Sequence, residues 1–304
     1  MGELESRLRG AWQGRVSGCM LGKAVEALSM TSGPEDLTEY LAGVDALPLR
    51  DYVPLADEPP PLLFAPCCRE RIDASQPDDD INYSVLALTL LEQHGRALTT
   101  EDVGRAWLNL LPVGMTFTAE RAAYRTLVSE AHEYFALGAP AGVDLARCSD
   151  NEFQNWIGAQ IRADLYGWVL PGDPSEAARL ARVDAELSHR GDGVHGAVLV
   201  AAWGAAIPES EGLESALDRA LLEIPGDSGA ASAVELGRRV AAGWDTDCNG
   251  ATVGALWALQ GKPVPDRWTA PWQGRVRVCL AGQGELSLDS LVERTVAVCF
   301  GMAA

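Results

Sequence analysis

Apolar residues recur every three or four positions along most of the chain, and this rhythm limits the fold more than any other feature. Residues 3–22 carry Leu4, Leu8, Trp12, Val16, Cys19 and Met20 on one face of a helix. Residues 81–92 repeat the pattern with Ile81, Val85, Leu88 and Leu91. The same reading predicts helices over 101–110, 118–136, 153–167, 174–188, 194–206, 213–223, 230–242, 248–260 and 286–300, many of them rich in Ala and Leu. Alternating strand patterns are nearly absent, and no fixed-period repeat is visible. An all-α fold follows.

Two stretches break the rhythm. Residues 43–77 hold Pro48, Pro54, Pro59, Pro60, Pro61, Pro66 and Pro77, which excludes a single helix. Residues 262–276 hold Pro263, Pro265 and Pro271 together with Trp268 and Trp272. Large apolar residues in both argue for ordered loops rather than linkers. The expectation is one compact domain over 1–304, with apolar residues at 47% supplying the core.

Charge narrows the function classes. Asp and Glu total 43 against 24 Lys and Arg, a formal net charge of −19. So acidic a chain lacks the footprint of a protein that coats a nucleic-acid polymer or an anionic membrane. No stretch approaches the roughly 20 apolar residues of a membrane span. Met1 to Arg9 lack an apolar signal core, and the 7 cysteines are scattered, so a reduced cytoplasmic setting is expected. Cys19, Cys279 and Cys299 read as small core residues. Cys67 and Cys68 are adjacent, without a second pair to complete a zinc site.

Two acidic motifs carry the chemistry. Asp78-Asp79-Asp80 opens the 81–92 helix, where one carboxylate can cap free N–H groups and the others repel unless a cation joins them. Asp245-Thr246-Asp247-Cys248 opens the 248–260 helix, with Asn249, Gly250, Ala251 and Gly254 small or polar around it. Each motif alone is as readily a capped helix start with solvated neighbours. Together they are the oxygen donors that hard divalent cations select, and a converging pair can hold two ions roughly 3.5–4 Å apart. A terpenoid-synthase reading fits less well. That chemistry wants Asp-Asp-x-x-Asp on a helix face, and neither motif has the spacing.

At these residues the sequence resembles the ADP-ribosylglycohydrolase family, the magnesium-dependent hydrolases that include the dinitrogenase-reductase-activating glycohydrolase. The resemblance runs through Gly14 to Glu26, Asp78 to Asp80, Thr118 to Tyr124, Asn155 to Asp164, Leu187-Ser188-His189 and Gly243 to Ala251. It implies a single orthogonal all-α bundle with two magnesium ions, manganese being an alternative. The implied metal residues are Asp78, Asp79, Asp80, Asp245, Asp247 and Cys248, with Glu26, Asp79 and Asp80 as catalytic groups. Asn155, Gly158, Ala159 and Gln160 match the loop that approaches substrate phosphates, and His189 matches a substrate-side histidine. The bland readings are a helix interior for the first set and a satisfied core histidine for the second. Two departures stand out. Asp78 and Cys248 both occupy positions where the family carries a hydroxyl, and a thiol is a poor magnesium ligand.

The implied activity is magnesium-dependent hydrolysis of the glycosidic bond at C1 of an ADP-ribose-like ribose. The partner is an ADP-ribosylated protein or a small ADP-ribosyl compound. Three alternatives stay open: an N-glycosidase of a free nucleotide, nucleoside or specialised metabolite; an ADP-ribose binder without turnover; and a structural protein, since a lens crystallin resembles the same family. His195 reads as structural, and His94 and His132 as exposed helix residues; Tyr166 and Trp168 could offer an adenine a ring, but aromatic residues at such spacing are more often core.

Overall fold

The computed structural model describes residues 2–130, 144–237 and 246–303. Helices dominate, and the expected all-α class holds. Among the described residues the strands are two three-residue segments, Arg275–Arg277 and Glu285–Ser287, paired antiparallel with Val276 opposite Leu286. The chain forms two compact units, each from separated stretches. The first contains Met1–Ile81, Val240–Val278 and Glu285–Glu293; the second contains Asn82–Arg239, Cys279–Gly284 and Arg294–Ala304. Two helices, Asp79–His94 and Leu288–Ala303, contribute residues to both.

The first unit is organised by one helix pair. Gly2–Lys23 places Glu3 and Glu5 in its first turn and Lys23 in its last, the arrangement its dipole favours. Leu8, Trp12, Val16, Cys19 and Met20 are buried, as the apolar spacing predicts. Its partner is Thr246–Leu259. A Cβ on Gly14 would lie 2.0 Å from the Gly254 carbonyl oxygen, and one on Gly18 would lie 1.9 Å from that of Gly250. The reciprocal clashes, at Gly250 and Gly254, are 2.5 and 2.2 Å. Gly14 faces Gly254 and Gly18 faces Gly250, so the helices run antiparallel with their backbones in contact. Any side chain at these four positions would push them apart.

The second unit is built around Gly191–Ala206, whose Val194, Ala197 and Val198 to Ala202 are buried. Such a helix, apolar almost all round, needs neighbours on every side. Pro174–Ala185, Asp164–Trp168, Ile157–Arg162 and Leu213–Ala220 supply them. Local signals set the helix starts. Thr99 and Asp102 form a capping box ahead of Thr100–Leu110. Asp173 caps Pro174–Ala185 with Pro174 in its first turn.

The structure corrects the sequence reading in two places. The helix expected over 153–167 is instead turns up to Trp156, a 3-10 helix Ile157–Arg162 and a short α-helix Asp164–Trp168. Arg162 is anchored by buried acids, and its Nη1 reaches back to the Gly158 carbonyl, so tertiary contacts override local periodicity. Helices Glu26–Ser32, Pro34–Gly43 and Asp266–Thr269 form where none was expected. Tyr166 and Trp168 are core residues at 0% and 2% exposure, the commoner outcome for rings at that spacing, and neither offers a stacking face. The part of the 118–136 prediction beyond Glu130, with His132, lies outside the described residues, as do Gly243 to Asp245.

Candidate metal centre

The first unit gathers the first acidic motif and the described part of the second. Ligand atoms of Asp78, Asp79 and Asp80 lie within 4.8 Å of one another, as do those of Asp80, Asp247 and Cys248. Asp80 belongs to both groups and links them. Asp78, Asp80 and Asp247 are 1%, 0% and 2% exposed, so this is not a solvated acidic surface. Asp79 is half-buried. Asp245 lies outside the described residues.

Two features of the fold aim these groups. Asp78 caps the Asp79–His94 helix, its Oδ1 accepting from the Asp80 N–H at 3.0 Å. Asp247 sits in the first turn of Thr246–Leu259 and is carried toward Asp80 by the glycine contact that holds that helix on Gly2–Lys23.

Two cations escaped the sequence reading. The fully buried Arg15 donates from Nη2 to Asp80 Oδ1 at 3.1 Å and to the Asp80 carbonyl oxygen at 2.8 Å. Lys23 forms an ion pair and hydrogen bond with Asp78 Oδ2. A legible signal existed: Arg15, Cys19 and Lys23 are four residues apart, so they share a face of a helix that is otherwise apolar there. Burial alone would lower the Lys23 pKa, but Asp78, by charge and hydrogen bond, holds it above the ordinary lysine value, with a smaller pull from Glu26. Glu26 is half-buried at the start of Glu26–Ser32. Cys19 feels Asp78, Asp80 and Asp247; its burial first, then these carboxylates, push its thiol well above the usual range, so it remains un-ionised.

The donor set suits a hard divalent cation. Carboxylate oxygens from Asp79, Asp80 and Asp247 are of the type Mg²⁺ and Mn²⁺ prefer. The Cys248 sulfur is too soft to add to them. Four described aspartates meet in a largely buried place. Such a concentration of carboxylates favours cation uptake.

The other predicted residues fall in the second unit. Asn155 is exposed, and its Oδ1 accepts from the Asp192 N–H at 3.2 Å. Gly158 lies against Glu120, whose Oε1 would be 2.1 Å from a Cβ there. Ala159 and His189 have no exposed surface, and Gln160 is half-buried. His195 pairs with Asp192 at 3.3 Å.

Behind this segment runs a buried polar network. Arg162 pairs through Nε with Asp184 Oδ1, donates from Nη1 to Glu120 Oε1 at 2.8 Å, and donates from Nη2 to Ser188 Oγ at 2.9 Å. The Tyr166 hydroxyl donates to Asp184 Oδ2 at 2.6 Å. The guanidinium lies 5.2 Å from the Trp107 ring centroid and 5.6 Å from that of Tyr83. Ser188 Oγ, accepting from Arg162, also shares a hydrogen bond with His189 Nδ1 at 2.8 Å. His189 Nε2 makes no hydrogen bond among the described residues, and Glu120 Oε1 stands 3.8 Å away. Burial first, then the Arg162 charge, depress the His189 pKa to about 2. Burial raises the Glu120 pKa against the attraction of Arg162.

A model of the ADP-ribosylglycohydrolase family matches residues 1–242. The chain belongs to the ADP-ribosylglycohydrolase family. The matched span includes Asp78 to Asp80, Asn155 to Gln160 and His189. Asp247 and Cys248 lie beyond it, so their place beside Asp80 rests on the geometry alone. Among solved structures, an ADP-ribosylglycohydrolase-related protein complex matches with a TM-score of 0.59 at 17% identity, covering 100% of both chains. At that identity the likeness is one of fold. No curated protein matches. A glycosidic-bond hydrolase at the family level follows from the membership. Among the described residues, no helix is long and apolar enough to cross a membrane.

Proposed function

We propose that the protein is a divalent-metal-dependent hydrolase of the glycosidic bond at C1 of an ADP-ribose-like ribose, carried by an ADP-ribosylated protein or a small ADP-ribosyl compound. The observation that carries this reading is the buried cluster of Asp78, Asp79, Asp80 and Asp247 within a chain of this family. Asp79, Asp80 and Asp247 hold Mg²⁺ or Mn²⁺, with Asp245 a further ligand. When bound, the metal supplies Lewis acidity toward ribose hydroxyls and a water.

The remaining roles belong to the chain. Arg15 locks Asp80 through its carboxylate and its carbonyl oxygen. Asp78 shapes the helix start that presents Asp79 and Asp80. Glu26, half-buried beside Lys23, orients the attacking water and takes its proton. As the C1 bond ionises toward an oxocarbenium-like state, the carboxylates offset the growing positive charge. For the substrate phosphates we assign Asn155, Gly158 and Gln160, which keep exposed or half-exposed surface. Ala159 and His189, fully buried, support that segment from behind.

The test is hydrolysis of ADP-ribosyl-arginine and ADP-ribosyl-serine peptides with Mg²⁺ or Mn²⁺, and with chelator. Release of ADP-ribose that needs metal and is lost in Asp80→Asn and Asp247→Asn supports the reading. Metal-independent release sinks the metal part. No release from either peptide, but turnover of a free nucleoside or nucleotide, moves the substrate to a small N-glycoside.

A further inference from the structure

The Pro- and Trp-containing stretch 262–276 supplies nothing to the acidic cluster, yet it closes one side of a cavity of about 440 Å³ within the first unit. Leu21, Val253, Trp257, Val264, Pro265 and Trp268 line it, together with the four glycines of the helix contact. On Gly2–Lys23 the cavity meets the face that carries Gly14, Gly18 and Leu21, whereas Arg15, Cys19 and Lys23 serve the acidic cluster from another face. Its size falls within the range of small-molecule sites, and its lining is almost wholly apolar. One wall is fixed before any ligand arrives. The Trp268 carbonyl oxygen accepts from the Tyr52 hydroxyl at 2.6 Å and from Trp272 Nε1 at 2.8 Å, and the Tyr52 ring meets the Trp268 ring edge-on at 5.2 Å. Trp257 is 47% exposed and Val253 is 64% exposed, so large apolar surface stands unburied beside the cavity.

We propose that this cavity binds an anion with an apolar aromatic body, of the aromatic carboxylate class. The lining assigns the body, and the groups beside it assign the charge. Lys262 Nζ lies 4.0 Å from the Trp257 ring centroid, and Arg267 Cζ lies 5.7 Å from that of Trp268. Neither cation makes an ion pair or a hydrogen bond among the described residues. In a chain where 43 acids face 24 bases, two such cations on the two tryptophans of one cavity complement a negative group. The indole N–H groups of Trp257 and Trp268 also have no acceptor among the described residues, so both remain available as donors. A second copy of the chain seated on the same patch would set cation against cation, and a neutral ligand would leave Lys262 and Arg267 unanswered. The inference stands on the cavity and is independent of the metal-dependent reading.

The experiment titrates the purified full chain with two dyes, each read by its fluorescence. Anilinonaphthalenesulfonate is the aromatic anion, its sulfonate standing in for a carboxylate. Phenylnaphthylamine is neutral and reports the apolar part alone. One saturable site for the anionic dye is expected, with a Kd of roughly 10–100 µM, the ligand-efficiency expectation for a body of that size. Replacing both cations, Lys262→Gln with Arg267→Gln, should weaken the anionic dye by about tenfold and leave the neutral dye unchanged. Trp257→Ala should weaken both dyes. Val253→Glu, at an exposed position, sets a carboxylate beside the cavity and should repel the anionic dye, which keeps the test decisive if Trp257→Ala does not fold. Absence of saturable binding overturns the proposal. Binding unchanged in Val253→Glu and Trp257→Ala overturns it too, because the dye then sits elsewhere. Anionic-dye affinity that ignores the double substitution removes the charge assignment and with it the proposed ligand class. Sedimentation of the chain without dye decides the rival occupant: a monomer agrees with the proposal, whereas a dimer that Val253→Glu dissociates means a second copy covers the cavity and overturns it.

Discussion

Gly18→Ala is the sharpest probe of how the fold builds the acidic cluster. The added Cβ would begin 1.9 Å from the Gly250 carbonyl oxygen, a backbone atom that cannot swing aside. Reaching an ordinary contact requires the helices to part by roughly 1.5 Å. Overpacking of this kind costs about 1–3 kcal/mol, against which Ala recovers about 1 kcal/mol of helix propensity. A net loss of up to about 2 kcal/mol lowers Tm by roughly 2–8 °C. The larger effect falls on the site. Gly18 is three residues from Arg15, which holds Asp80, and Gly250 is three residues from Asp247. Parting the helices therefore parts Asp80 from Asp247. Mg²⁺ demands oxygens at about 2.0–2.1 Å in near-octahedral array, so a shift of an ångström removes a ligand. We expect Mg²⁺ and Mn²⁺ affinity to fall by about 10–100-fold, the range seen when groups that orient metal ligands are disturbed. Calorimetric metal titration and thermal unfolding measure both quantities. Gly43→Ala, where nothing lies within 4 Å, is the control. Unchanged Tm and unchanged metal affinity in Gly18→Ala would refute the claim that backbone contact sets the Asp80 to Asp247 geometry.

Three further outcomes are expected. His189, its folded pKa depressed to about 2, stays neutral in the folded chain while the unfolded residue protonates near 6.5, so its contribution is present above that pH and is lost as pH falls. Between pH 6 and 4, wild-type stability should fall by up to about 1.4 kcal/mol per unit more steeply than that of His189→Gln, in denaturant titrations at each pH. Arg162→Met leaves Asp184 and Glu120 buried without their partner and should cost about 3–5 kcal/mol by urea unfolding, whereas a loss under 1 kcal/mol would show the network to be dispensable. Gly158→Ala drives a methyl into the Glu120 carboxylate and should destabilise by about 1–3 kcal/mol by urea unfolding, and the same substitution should cost less when made in a Glu120→Ala background.

Much of the site was legible because its chemistry is local. Three adjacent aspartates at a helix start announce a cap and a cation, and Asp78 does serve as that cap. The Asp245-Thr246-Asp247 motif was visible for the same reason. Less legible were the groups whose meaning depends on a distant partner. Arg15 and Lys23 look like ordinary helix charges until Asp80 and Asp78, more than fifty residues away, meet them. The stretch 153–167 carried helical spacing, yet Arg162, Glu120 and Asp184 draw it into a 3-10 turn. Gly158 also had a hidden reason to be small, since it must admit the Glu120 carboxylate.

The sequence by itself determined the helical class, since a 3.6-residue apolar period cannot be satisfied in a strand. It also determined the acidic motifs and the small residues Gly14, Gly18, Gly250 and Gly254, each a property of a short stretch. Only the tertiary structure decided that these glycines face one another and bring Asp247 to Asp80. The same holds for His189, which burial and the Arg162 charge keep neutral, and for Asp78, which Lys23 occupies. The physical reason is common to all of these. Helix periodicity is set by neighbours a few residues away, whereas burial, ion pairing and ligand separation depend on residues that meet only once the chain has folded.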